Sequence, residues 1–156
     1  MATTVTPSAL TITIEENISL NGVDHGSKIT QVIPDVTEIS RRIIEVGLTE
    51  YEILAFGSAK SLAGTFDEDD VRYIRITNLD DTNFVTLTFK DSASQEFAVK
   101  LDYGQSFIYN GDLATGVATT MDADNAALTV SLADLVNITA DADTAVCDLE
   151  VFVAGV

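Results

Sequence analysis

Alternation is the property that most limits what this chain can become. Leu10, Ile12 and Ile14 are separated by Thr11 and Thr13, Ile74 and Ile76 by Arg75, and Val85, Leu87 and Phe89 by Thr86 and Thr88. A repeat of two places successive side chains on opposite faces of an extended strand, one toward a core and the other toward water. Long helical periodicity is absent, so nothing supplies the crossovers that a parallel sheet needs. Composition agrees. Thr (19), Val (15) and Ile (13), the residues whose branched side chains suit a pleated surface, make up 47 of 156 residues.

Several segments read as strands between turn signals. Leu10 to Ile14 precedes Asn21-Gly22, a pair suited to a tight hairpin turn. Residues 28–33 form the next strand, which Pro34 is expected to stop. Residues 36–46 read as a long strand with a bulge near Ile43-Ile44, with a short helix as the alternative; strand is favoured. Tyr51 to Phe56 follows. Val71 to Thr77 and Phe84 to Lys90 read as a hairpin joined by the polar loop 78–83, with Ile74, Ile76, Val85, Leu87 and Phe89 inward and Tyr73, Arg75, Thr86, Thr88 and Lys90 outward. Strands at 97–101, 105–109, 128–132 and 147–153 complete the set. The similar openings Asp122-Ala-Asp-Asn-Ala126 and Asp141-Ala-Asp-Thr-Ala145 read as two like-built loops, too few copies for a solenoid.

The expected fold is all-β: a single antiparallel β-sandwich of about eight to ten strands, with a jelly roll among the compatible arrangements. Residues 1–8, small and polar around Pro7, read as an N-terminal arm, and 9–156 as the β-sandwich domain. At this length one hydrophobic core suffices.

Charge narrows the partners. Eight Lys and Arg against 25 Asp and Glu give a net charge of −17. All eight cations lie between Lys28 and Lys100, and residues 101–156 carry nine acidic groups and no cation. Such a chain is not expected to grip nucleic acid or an anionic membrane, both of which need clustered cations. The start, Met1 to Pro7, lacks the basic and apolar runs of a signal peptide, so a soluble chain made in a cytoplasm is expected. The single cysteine, Cys147, has no partner within the chain for a disulfide.

Catalytic patterns fail on missing groups. His25 is the only histidine and sits between Gly22 and Gly26, so any nucleophile triad would rest on that one base. Gly104-Gln105-Ser106 begins like a nucleophile elbow, but Ile108 replaces the second glycine. Lys60-Ser61 ends like a phosphate loop, but Leu54 and Ala59 stand where glycines belong. The acidic run Asp67, Glu68, Asp69 and Asp70 suits a hard cation at its first and third positions, yet Val71 and Arg72 occupy the fifth and the turn-glycine positions; Ala126 and Ala145 break the 122 and 141 loops in the same way. Asn17-Ile18-Ser19 and Asn137-Ile138-Thr139 match the glycan-acceptor pattern, which matters only along a secretory route. No catalytic, cofactor-binding or metal-binding residue is therefore assigned, and no enzyme is expected. Tyr51, Tyr73, Phe84, Tyr103 and Tyr109 are available as outward aromatics for an interface, whereas Phe89, Phe97 and Phe107 are expected in the core.

The strand Tyr73-Ile-Arg-Ile-Thr-Asn78, the polar loop after it, the strand Val85-Thr-Leu-Thr-Phe89 and the turn Gly104-Gln-Ser-Phe107 together resemble a stretch of small virion structural proteins of tailed bacteriophages, especially marine ones. The resemblance covers about a quarter of the chain. It implies a non-enzymatic β-sandwich virion protein with no catalytic residues or cofactor to transfer. The expected role is a capsid decoration or cement subunit that binds the outer head surface and stabilises the shell. Expected partners are the major capsid protein or other virion subunits, in a homo-oligomer or repeated array, and the expected location is the virion. A tail, neck or fibre-associated component and a carbohydrate-binding or adhesin module are the alternatives.

Overall fold

The structure, a computed structural model, describes residues 4–58, 64–111, 113–114, 116–117, 119 and 135–156. The expected strand at 128–132, the loop opening at Asp122 and the Lys60-Ser61 pair lie outside the described residues. All regular structure among the described residues is extended, as the alternation predicts.

The first four strands stand apart from the rest. β1 (Ser8–Glu16) pairs only with β4 (Ser27–Val36), and β2 (Ser19–Leu20) with β3 (Val23–Asp24). One antiparallel register runs from Leu10↔Ile33 through Glu16↔Ser27 to Leu20↔Val23, so these elements form one two-stranded ribbon. Its turn is Asn21-Gly22, with φ of 53° and 79°. Positive φ at both central positions gives the turn whose twist matches the flanking strands.

Pro34 does not stop its strand. β4 continues to Val36, and the register shifts by one residue between Leu10↔Ile33 and Ser8↔Val36. That irregularity absorbs Pro34, which has no amide to donate, together with Asp35, at φ 58°.

The body contains β5 (Glu38–Val46), β6 (Tyr51–Gly57), β7 (Thr65–Asp67), β8 (Val71–Asn78), β9 (Val85–Asp91), β10 (Glu96–Leu101), β11 (Ser106–Asn110), β12 (Leu135–Ala142) and β13 (Cys147–Gly155). One sheet has the order β11-β8-β13-β5 and the other β10-β9-β12-β6-β7. Apart from the short parallel pair β6–β7, all neighbours are antiparallel. The pairs β9–β10, β8–β11, β6–β12 and β5–β13 are nested like the rungs of one long hairpin, and the chain rolls that hairpin so that β12 meets β9 and β13 meets β8. This is the order of a jelly roll.

The roll corrects the expected hairpin of 71–77 with 84–90. β8 and β9 lie in opposite sheets, joined by a loop that crosses from one to the other. Asn78 pins this crossing: it is fully buried, its Nδ2 donates to the carbonyls of Asn83 (2.9 Å) and Leu101 (3.2 Å), and its Oδ1 accepts from the Asp80 amide (3.0 Å). The tight hairpin is β9–β10, where Asp91 Oδ1 accepts from the amides of Ala93 (2.9 Å) and Gln95 (2.7 Å). β5 is a strand, as favoured, but its register with β13 is unbroken through Ile43 and Ile44. The two isoleucines simply point to opposite faces.

The core lies between the sheets. Ile74, Ile76, Leu149, Val151 and Val153 from one meet Leu54, Val85, Leu87, Phe89 and Ile138 from the other. Burying each such side chain contributes about 1.5–3 kcal/mol.

Candidate interaction surface

Register fixes what the ribbon presents. Leu10 with Ile33, Ile12 with Gln31, Ile14 with Ile29, and Leu20 with Val23 share one face, while Thr11 with Val32, Thr13 with Thr30, and Glu15 with Lys28 share the other. The second face is largely polar and carries a Lys28–Glu15 ion pair of 3.3 Å. The first face is aliphatic except at Gln31, at Glu16 and Ser27, and at His25, which the same register sets opposite Ile18. Glu16 and Ser27, facing each other across it, bond to one another. At Gly26 a Cβ would lie 2.4 Å from the Glu16 carbonyl, so the close approach of the two strands there requires glycine.

Only the base of this aliphatic face is covered. Ile33 and Val36 are buried with Tyr73 and Ala154, and Leu10, Ile12 and Phe152 pack around them. Tyr73 meets Phe152 edge-on, with ring centroids 6.0 Å apart. Tyr73 was expected outward and available; it does leave the sandwich core, but the ribbon roofs it to 5% exposure. Burial pushes its phenol above the ordinary range. Farther out, Ile14, Ile18, Leu20, Val23 and Ile29 are exposed.

The outer face of the four-stranded sheet continues beyond the ribbon's footprint. The rows Ser106, Thr77, Glu150, Ile43 and Ile108, Arg75, Phe152, Arg41 cross its four strands. Glu150, a buried carboxylate, accepts from Arg41 Nε at 2.9 Å and from Nη2 at 2.5 Å, and pairs also with Arg75 Nη2. The two guanidiniums hold its carboxyl below the usual carboxylate range. Around this cluster Ile39, Ile43 and Ile108 are exposed. Beside the ribbon base, Val5, Leu10, Val36 and Ile39 line an open groove of about 280 Å³.

Several of the motif positions carry hydrogen bonds of the fold itself. His25 lies near the ribbon tip, exposed, its amide donating to the Ile18 carbonyl at 2.9 Å. Ser106 Oγ bonds Thr77 Oγ1 at 2.8 Å within the strand pair β8–β11. In the acidic run, the Asp69 amide donates to Asp67 Oδ1 at 3.1 Å, and the chain turns there into β8. Glu68 is pushed up, first by burial and then by Asp69 and Asp67. Among the described residues no cluster of three or more metal-ligating side chains forms. In the 141 loop, Thr144 Oγ1 donates to Asn83 Oδ1 at 2.9 Å, tying two crossings together. Asn137, of the acceptor pattern, donates to Glu52 Oε2 at 2.8 Å. Cys147 is buried, which raises its thiol pKa, and it approaches the Ala145 carbonyl at 3.5 Å.

The aromatics divide differently from expectation. Tyr51 and Tyr103 are exposed as expected, and Phe84 is half-covered under the Lys100 ammonium, 4.3 Å from its ring centroid. Tyr109, expected outward, packs against the core because its register partner is inward-facing Ile74. Phe89 is in the core and Phe107 packs against it. Phe97 points the expected way and stacks on Phe89 with centroids 4.5 Å apart, but it sits on the edge strand β10 and stays 46% exposed.

Sequence reasoning missed the ribbon's independence and the Arg41–Glu150–Arg75 cluster. Apolar positions mirrored about Asn21-Gly22 signal the ribbon; nothing in the sequence signals a cluster whose members lie up to 109 residues apart. Compared with models of known protein families, with curated proteins and with solved structures, the chain finds no match.

Proposed function

We propose that this chain is a non-enzymatic structural subunit of a phage particle, acting as a decoration or cement protein on the outer surface of the head. The observation that carries this reading is the pairing of a filled jelly-roll body with a ribbon whose aliphatic face is covered only at its base. A lone two-stranded ribbon is marginal in water, and exposed apolar area of this kind marks a contact with another molecule. The jelly roll supports the reading by analogy, since viral capsid domains use it, though lectins do as well. The sequence resemblance at 71–109 favours the virion. A net charge of −17 keeps such a subunit away from packaged DNA and suits an outward position.

The test is addition of the purified chain to empty heads. Saturable binding at a fixed ratio to the major capsid protein, with a higher melting temperature of the shell, is the expected result. Absence from purified virions, or binding to tails alone, overturns the head assignment. Exposed Tyr51 and Tyr103 leave a lectin-like reading with its own readout, retention on a glycan array.

A further inference from the structure

We infer that the overhanging part of the ribbon docks on the outer face of the four-stranded sheet of a second copy of this chain, in reciprocal exchange. The inference rests on the reading of the chain as an assembly subunit and names the surface through which it associates with itself.

Both halves of the contact are present and unsatisfied on one molecule. The aliphatic ribbon face already packs, through Leu10, Ile12 and Ile33, on Tyr73, Phe152 and Ala154 of its own sheet. The same face continues without cover to Ile14 and Ile29, the latter 61% exposed. The same sheet face continues without cover to Ile39, Ile108 and Ile43, the last 66% exposed. A second copy offers each unsatisfied surface the type of surface that its covered part already accepts.

Charge neither drives nor forbids the pairing. Of the charged residues of the outer ribbon only Glu16 shares the aliphatic face, where it bonds Ser27; Glu15, Lys28 and Asp24 lie on the other face. On the sheet, Arg41 and Arg75 share the carboxylate of Glu150, the Arg41 side chain is 67% exposed, and Glu45 and Asp148 face outward in the row beyond Ile43. The outer face of the other sheet offers no comparable seat: Thr86, Thr88, Lys90, Asn137, Thr139 and Asp141 cover its centre.

Area decides the symmetry. Five aliphatic residues on the ribbon and three on the sheet, at on the order of 100 Å² each, bury about 800 Å² in a one-way contact. Stable interfaces bury about 1,200–2,000 Å². Reciprocal exchange doubles the contact to about 1,600 Å² and meets that requirement.

The purified chain alone, without particles, is the test. Sedimentation equilibrium at micromolar concentrations is expected to show a dimer, tightening as salt screens the repulsion between two chains of −17. Ile29→Asp is expected to weaken dimerisation at least tenfold while circular dichroism and melting of the monomer stay unchanged. To locate the contact, Ile29→Cys chains are mixed with Ile43→Cys chains under oxidation; native Cys147 is buried and stays silent. A disulfide between the two variants supports the inference. A cross-link formed as readily by Ile29→Cys alone means ribbon on ribbon and overturns it. A chain that is monomeric throughout also overturns it, and if that monomer still binds heads, the decoration role stands without self-exchange.

Discussion

The two sheets of the sandwich share an inner chemistry and differ on their outer faces. On the β10-β9-β12-β6 side, the outward positions of β9 and β12 are Thr86, Thr88, Lys90, Asn137, Thr139 and Asp141, with Val136 exposed at the start of β12. There Lys90 pairs with Glu50, whose Oε1 also accepts from Thr139 Oγ1 at 2.5 Å. On the β11-β8-β13-β5 side, outward positions include Tyr73, Ile108, Phe152, Ile39 and Ile43. A half-buried antiparallel sheet needs one apolar face; a second one has to be covered by something. The ribbon covers part of it. The molecule therefore has a solvated side and a side that the ribbon covers in part, and substitutions on the two sides should separate cleanly.

The largest effect is expected at Tyr73. Tyr73→Ala removes an aromatic ring from beneath the ribbon and should cost about 3–5 kcal/mol, as truncations of buried aromatics do. Urea unfolding followed by circular dichroism measures it. A loss below about 1 kcal/mol would mean that the ribbon base does not hold the sheet face as described.

Next comes a contrast within the ribbon itself. Ile33 is fully buried and Ile29, four residues earlier on the same face, is exposed. Ile33→Ala should destabilise the monomer by about 2–4 kcal/mol and Ile29→Ala by less than about 0.5 kcal/mol. Equal effects would erase the boundary between the covered and the overhanging ribbon.

That boundary is also where legibility in sequence ended. Alternation identified Leu10, Ile12 and Ile14 as one face, and Asn21-Gly22 as a turn, because both are local properties of the chain. It assigned that face to the main core, because periodicity says which residues point together and not what lies beneath them. The same limit explains the misread pairing of 71–77 with 84–90. Each strand's inward residues were right, but an antiparallel neighbour in sequence need not be a neighbour in the sheet, and here the chain crosses over at Asn78. Tyr109 and Tyr73, both expected outward, are both covered, for related reasons: one follows the register of its strand pair, the other lies under an element about 40 residues upstream. The candidate surface was legible only as a list of outward aromatics, of which Tyr51 and Tyr103 remain exposed.

A smaller effect, with a pH signature, is expected at Glu150. Its carboxyl is held below the ordinary value of 4.5 by Arg41 and Arg75, so it stabilises the fold where it is ionised in both states. That contribution is complete above 4.5 and is lost as pH falls through the lower folded value. Glu150→Gln should lower the melting temperature by a few degrees at neutral pH, and the gap from the parent chain should close in acid. Glu68 and Asp141, both raised chiefly by burial, run the opposite way, gaining stability as pH falls through their folded values. A gap that stays constant in acid would show that Glu150 acts through packing rather than through charge.

The smallest effect belongs to the solvated side. Thr86 faces outward between Lys100 and Asp141 on neighbouring strands, so Thr86→Ala trades some strand preference for a smaller side chain and opens no cavity. The expected change is within about 0.5 kcal/mol, with dimerisation and head binding intact. Because Thr86 occupies a central strand, as Tyr73 does, the pair controls for position in the sandwich. Strand environment is then shared and only the outer cover differs. If Thr86→Ala were to disturb association while Ile43→Asp did not, the proposed contact would have been placed on the wrong sheet.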